Sequence, residues 1–255
     1  MNYDIQRASM LKRVPAWLLD IILLITVATG FLALWSQVFD VMPHVEKLSG
    51  IVEKYEAEYG GQLSMSVEEY EKLTAEEKLA ADEISLEIDK ALNQDPEALK
   101  ALETVATYIF AMLSLSILCA YVILELLIPL WLKNGQTLGK KCFGVALMRK
   151  DGIKVTPFMM FARTVLGKCT VETMIPVLAL VLMLLNIAGP IFWLGVAVLL
   201  AQIIVPLATR DKTALHDLMA CTVAVDLSSQ MIFDTPEAME AYYAELYTDK
   251  TSDEE

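Results

Sequence analysis

Asp20 and Glu125 are the only charges in two long apolar runs, residues 14–39 and 104–132, and Glu172 is the only charge in a third, residues 170–208. An ionisable side chain in so apolar a setting is costly, and marks either a working site or a tight internal partner. Asp20 follows Arg13 by seven residues, about 10 Å along a helix, which puts the two on one face. Glu125 precedes Lys133 by eight residues, a depth of about 12 Å from the same membrane surface. Arg13, Arg163, Lys168 and Arg210 add cations at that edge, and His216 and Asp217 follow the last apolar run. Two chemistries fit. In one, Asp20 and Glu125 line a wet pocket and exchange a proton or cation, a shared site raising one carboxyl pKa. In the other, the charges lock helices together: Arg13 pairs with Asp20, and Asp217 holds basic residues of the segment 135–141. Buried charges require such partners.

That segment, Gly135-Gln136-Thr137-Leu138-Gly139-Lys140-Lys141, invites a nucleotide reading. It lacks the G-x-x-x-x-G-K-[ST] spacing, and no strand precedes it. Its basic charge suits an anionic lipid headgroup better, or a role in locking the loop. His44 and His216 are the only histidines, and Cys119, Cys142, Cys169 and Cys221 form no C-x-x-C pair. No catalytic triad, metal cluster or cofactor motif is visible, so no enzymatic activity is expected. The net charge of −13 disfavours nucleic acid as a partner.

The elements that hold these residues are membrane helices. Apolar residues make up 56% of the chain and are blocked into charge-free stretches rather than spread at core spacing. About 20 apolar residues span a bilayer. The expected spans are 14–39, 104–132, 170–185 and 190–208. The last two arise because the 39-residue run 170–208 is broken at Asn186-Ile187-Ala188-Gly189-Pro190, a turn signal. A single kinked or re-entrant helix is the alternative, and the third span is short unless it begins near Arg163. The first run is too long for a signal-peptide core and reads as a retained anchor. Segments 1–13 and 133–169 are basic, whereas residues 40–103 carry 17 acidic and 6 basic side chains. The positive-inside rule then places both termini in the cytoplasm and the acidic segment outside the cell membrane.

The acidic segment reads as a helical cap. Ser66-x-x-Glu69 and Thr74-x-x-Glu77 fit the capping box. Ile84, Ile88 and Leu92 form one helical stripe, and Val45, Leu48, Val52, Tyr55 and Tyr59 another. Asp95-Pro96 starts the helix that enters the second span. In the basic loop, Lys150-Asp151-Gly152 between β-formers predicts a hairpin over 145–156, with 222–225 as a candidate third strand. Thr156-Pro157 then begins a helix expected to lie at the headgroups. Tyr121 and Gln202 are placed for interhelical hydrogen bonds. Thr235-Pro236 caps a short helix before an acidic tail, residues 209–255 forming a cytoplasmic end whose last part is expected to be disordered.

Three blocks carry a resemblance. The stretch from Arg13 to Asp20 resembles the start of the RDD membrane-protein family, named for one arginine and two aspartates. Gly135-Gln136-Thr137-Leu138-Gly139-Lys140 is similar to that family's G-Q-T-x-G-K loop. Leu215-His216-Asp217 is similar to its closing L-H-D motif, with Asp217 as the second aspartate. The resemblance covers most of residues 7–226 and implies an all-α polytopic membrane protein with a small sheet. Transport is the activity usually suggested for the family. The long acidic segment and acidic tail depart from its pattern. Transport is what the resemblance suggests, and the intramembrane charges Arg13, Asp20, Glu125, Glu172, Arg210 and Asp217 are then the expected site of a small transporter or transporter subunit. Four spans leave little room for a pathway, so an oligomer or a membrane-protein partner is expected. The alternative is a scaffold that binds other proteins through its acidic cap and tail.

Overall fold

The computed structural model describes residues 5–63, 65–132, 134–184, 189–209 and 213–252. Four helical stretches among these are long and apolar enough to cross a membrane: Met10–Val38, Pro96–Leu132, Pro157–Met183 and Pro190–Ala208. The chain forms two compact units, Ala33–Leu113 and the remainder.

The Ala33–Leu113 unit is helical. Helix α1 (Met10–Val38) ends in it, followed by α2 (Met42–Tyr59), α3 (Val67–Glu71), α4 (Ala75–Leu92) and the start of α5 (Pro96–Tyr121). Both expected capping boxes form, Ser66 with Glu69 and Thr74 with Glu77. Ile88 is fully buried. Gly61 lets the chain pass α4: a Cβ there would lie 2.3 Å from Ile84 Cγ2. Asp95 accepts from the Glu97 backbone N–H (2.8 Å), capping α5, and from the Tyr55 hydroxyl (3.1 Å), tying α2 to that cap.

In the larger unit, α5 continues through a π-helical segment, Val122–Leu127, into α6 (Ile128–Leu132). After α7 (Leu138–Cys142), strand β1 (Val145–Arg149) pairs antiparallel with β2 (Thr222–Asp226), with Leu147 opposite Ala224. Alternate strand residues pack into two clusters: Val145, Leu147 and Ala224 with Met160 on one face, Ala146, Met148, Val223 and Val225 on the other. Residues 222–225 thus form the principal partner of β1, and the expected hairpin shrinks to a single bridge, Met148 with Lys154. Two causes are visible. Thr156 caps α8 (Pro157–Phe161) and Pro157 turns the chain into that helix, leaving a return arm of only a few residues. The arm is also engaged elsewhere, since the Lys154 N–H donates to Phe233 O (2.9 Å). The N-terminal segment adds to the free side of β2 through the Arg7–Val225 bridge, and Lys12 pairs with Asp226 at 2.6 Å.

A second correction concerns the third span. The helix starting at Pro157 is not a separate headgroup helix. It runs without a break through a π-helical segment, Ala162–Met174, into α9 (Ile175–Leu184). Helix α10 (Pro190–Ala208) lies antiparallel beside α9, with Gly195 against Ala179, whose methyl a Cβ at Gly195 would meet at 2.4 Å. Two packed helices, rather than one kinked span, therefore occupy this run, although most of the Asn186 turn itself lies outside the described residues. Helix α11 (Leu215–Met219) packs on the π-helical segment Ala162–Met174. Finally, the helix expected after Thr235-Pro236 forms as α12 (Pro236–Ser252), and the last acidic residues, 253–255, lie outside the described residues.

Candidate functional site

Asp20 lies on α1 and faces the segment 135–141. Thr137 Oγ1 donates to Asp20 Oδ2 at 2.5 Å, and the Gly139 backbone N–H donates to Oδ1 at 2.8 Å. Gly139 is required here: a Cβ would sit 2.2 Å from the Ala16 carbonyl oxygen. Thr137 also caps α7 by accepting from the Lys140 N–H (3.3 Å). Gln136 Nε2 donates to Val145 O at 2.9 Å, fastening the loop to β1. Gly135 turns the chain at φ +62°, close against Leu147. The loop residues Gly135, Gln136, Thr137 and Gly139 thus join α1 to the sheet, while Lys141 is exposed.

This replaces the expected Arg13–Asp20 pair. Arg13 instead interacts electrostatically with Asp217 and Arg163. Asp217 likewise does not hold the loop by hydrogen bonds. It accepts from Arg163 Nε (2.7 Å) and from Thr222 Oγ1 (3.1 Å), with Arg163 only 1% and Asp217 2% exposed. Burial alone would raise the Asp217 carboxyl, but Arg163 and His216 hold it well below the ordinary carboxylate range.

Glu125 and Glu172 each have their own partner. Lys168 Nζ donates to Glu125 Oε1 at 2.6 Å, while Glu125 Oε2 is buried without a hydrogen bond. Glu172 accepts from the His216 backbone N–H (2.8 Å) and from its Nδ1 (2.8 Å). Burial pushes the His216 imidazole below its ordinary pKa, although Asp217 and Glu172 favour its charged form. Gly167 makes room for α11, since a Cβ there would lie 2.8 Å from His216 Cβ.

The three charged residues of the third span, Arg163, Lys168 and Glu172, all come from its π-helical segment, and Glu125 lies in the other one. A π turn widens the helix and leaves carbonyls displaced from the regular ladder. Here the Glu125 carbonyl accepts from Thr164 Oγ1 at 2.9 Å. The expected interhelical bonds also form: Tyr121 OH with Thr173 Oγ1 (2.8 Å), and Gln202 Nε2 to Glu172 O (2.7 Å). Sequence spacing missed the partners Lys168, Thr164 and Thr222. Lys168 had a signal: in a span begun at Pro157 it is an intramembrane cation and needs a carboxylate.

These groups surround a cavity of about 710 Å³. Its charged lining comprises Arg13, Asp20, Lys140, Arg163, Lys168, Glu172, His216 and Asp217, and its apolar walls come from α1 and α10. Trp17, Ile203 and Leu207 on those walls are more than half exposed. Glu125 stands outside the lining, so Asp20 and Glu125 do not share a pocket wall. Arg210 lies outside the described residues.

The RDD family model matches residues 7–221. The chain belongs to the RDD family. No curated protein and no solved structure matches it. With four apolar helices, this RDD protein is a multi-pass membrane protein. Arg13, Asp20 and Asp217, which resemble the arginine and two aspartates for which the family is named, all line the cavity.

Proposed function

We propose that this RDD protein is a small transporter, or a transporter subunit, whose ion or small solute occupies the cavity between α1 and α10. The observation that carries this is the placement of eight ionisable side chains around a space of about 710 Å³ whose apolar walls belong to candidate spans. A purely structural charge network would be expected to close on itself. This one leaves room for a solute of the size that pockets usually hold. The chain works as an oligomer or with a membrane partner, because four helices enclose little pathway.

The test is flux through the full chain in liposomes, across a panel of ions and small solutes, with and without a pH gradient. Leu199 lines the cavity wall and is half exposed. Leu199→Trp narrows the space without removing a charge, and should lower flux at unchanged melting temperature. Asp20→Asn should instead lower the melting temperature, since it removes a charged acceptor from Thr137 and Gly139, each such bond being worth roughly 1.5–3 kcal/mol. Unaltered flux in Leu199→Trp would remove the cavity from the pathway. No flux of any solute by the wild type would favour the scaffold reading, in which the acidic cap and tail bind other proteins.

In this reading both termini and the segment 133–169 face the cytoplasm of a cell-membrane protein, and the Ala33–Leu113 unit carries the outward acidic surface. The support is charge segregation: eight basic residues from Lys133 to Lys168 against a net charge of −11 over residues 40–103. An Ala80→Cys variant, with Cys119, Cys169 and Cys221 replaced, should react with an impermeant thiol reagent in intact cells at position 80 but not at the exposed Cys142. The opposite labelling reverses the orientation.

A further inference from the structure

We infer that the cavity binds an anionic lipid, its phosphate-bearing head seated on Arg163 and Lys140 and its acyl chain lying between α1 and α10. This rests on the reading of the cavity as the solute site and names the class of solute.

The electrostatic lining has three lasting cations, Arg13, Arg163 and Lys168, and an amine, Lys140, against three carboxylates, Asp20, Glu172 and Asp217. Every one of those carboxylates is already engaged, by the loop, by His216 and by Arg163 respectively. Among the described lining residues, the buried polar atom left without a hydrogen bond is cationic. Arg163, 1% exposed, keeps its Nη1 buried with no hydrogen-bond partner. Among the described residues, the Lys140 ammonium makes one hydrogen bond, to Thr137 Oγ1 at 3.5 Å. A buried guanidinium N–H without an acceptor carries a desolvation penalty. A tetrahedral oxyanion relieves it, because guanidinium geometry matches phosphate oxygens.

The walls select the rest of the ligand. Val14, Trp17, Leu199, Ile203 and Leu207 are apolar, belong to the candidate spans α1 and α10, and are all exposed. Exposed apolar surface on a membrane span is covered by acyl chains, so this flank of the cavity suits one. A hydrophilic anion would leave those walls uncovered, whereas an acyl chain covers them.

Lys140 adds a signature. Burial, with Lys168 and Arg163 nearby, pushes its ammonium down to about 7, although Glu125 and Asp20 oppose the shift. Asp217 lies within the same electrostatic reach. His216 titrates on the acid side of this window, its own pKa being lowered. A bound phosphate favours the protonated amine, so binding should weaken as pH rises through 7.

The experiment uses the full chain with Trp35, Trp131 and Trp193 replaced by Phe, leaving Trp17 at the mouth of the cavity. It is reconstituted in phosphatidylcholine vesicles and titrated with brominated phosphatidylglycerol or brominated phosphatidylcholine, whose bromines quench a neighbouring indole. Phosphatidylglycerol should quench Trp17 selectively, and less at pH 8.5 than at pH 6.5. Lys140→Gln should weaken the selective quenching about tenfold, the loss of one charge-assisted hydrogen bond, and should flatten its pH dependence. Lys141→Gln, an exposed neighbour, should leave it unchanged. Equal quenching by the two lipids, or equal effects of the two lysine variants, would overturn the proposal. Inorganic phosphate that raises the melting temperature while the lipids quench equally would overturn the lipid and assign the site to a free anion. Selective quenching without flux in the liposome assay, movement of phosphatidylglycerol between the leaflets included, keeps the lipid site and removes transport, and flux without selective quenching does the reverse.

Discussion

Asp217→Asn should destabilise the fold by about 3–5 kcal/mol, the loss expected when one partner of a buried ion pair is neutralised and the other is left in place. Arg163 and Asp217 are 1% and 2% exposed and joined at 2.7 Å. The substitution preserves shape, and the new amide oxygen still accepts one hydrogen bond. The guanidinium, however, loses its counter-charge in a setting where Arg163 Nη1 already has no partner. The Thr222 hydroxyl, which ties the same carboxylate to β2 at 3.1 Å, loses a charged acceptor as well. Arg163→Met combined with Asp217→Leu should recover part of the loss, because a packed apolar pair removes both desolvated charges. The pH dependence has a definite sign. The Asp217 pKa is depressed in the folded protein, so its contribution is complete above the unfolded value of about 3.9 and is lost as pH falls further. Wild-type melting temperature should therefore drop below about pH 4 more steeply than that of Asp217→Asn. Equal melting temperatures for wild type and Asp217→Asn at pH 7 would show that the pair does not hold α11 to the third span.

The apolar runs announced the four candidate spans, because long charge-free stretches have few alternatives. The capping boxes at Ser66 and Thr74 were equally legible, since a cap is a contact between residues three apart. The charge partners were not. Pairing Arg13 with Asp20 assumed that two residues on one helix face must serve each other. Asp20 instead meets a loop more than a hundred residues away, and local spacing carries no information about that approach. The third span failed for a related reason. Begun at Thr170, it left Arg163 and Lys168 in a basic loop, where cations need no explanation. Begun at Pro157, it makes both of them buried charges that demand Asp217 and Glu125. The π-helical geometry of Ala162–Met174 hid the pattern further, because its faces do not follow the 3.6-residue period. The motif loop was recognisable, but its mechanics were not. Gln136, Thr137 and Gly139 each make a different contact, to β1, to Asp20 and to the backbone of α1.

Gly139→Ala should be the most disruptive single methyl in this loop. The added Cβ would lie 2.2 Å from the Ala16 carbonyl oxygen and 2.8 Å from Asp20 Oδ1. A flexible side chain could turn aside from such a clash, but a helix carbonyl cannot. Helix α7 must lift from α1, and lifting it stretches both hydrogen bonds to Asp20, from the Gly139 N–H at 2.8 Å and from Thr137 Oγ1. Overpacking alone typically costs about 1–3 kcal/mol, and hydrogen bonds to a charged acceptor about 1.5–3 kcal/mol each. A total loss of at least about 2.5 kcal/mol follows even if one bond survives. Gly30→Ala on α1 is the control. Its Cβ meets nothing within 4 Å, and exchanging Gly for Ala inside a helix is favourable by up to about 1 kcal/mol. Thermal melts of the three proteins under one condition should rank Gly30→Ala at or above wild type and Gly139→Ala far below. Asp20→Ala separates steric from electrostatic causes. Placed on top of Gly139→Ala, it should add little, because the bonds it removes are already broken, whereas in the wild-type background it should be costly. Additive losses in that double variant would mean that α7 stays seated on α1 despite the methyl, and that Gly139 is not what brings the loop against Asp20.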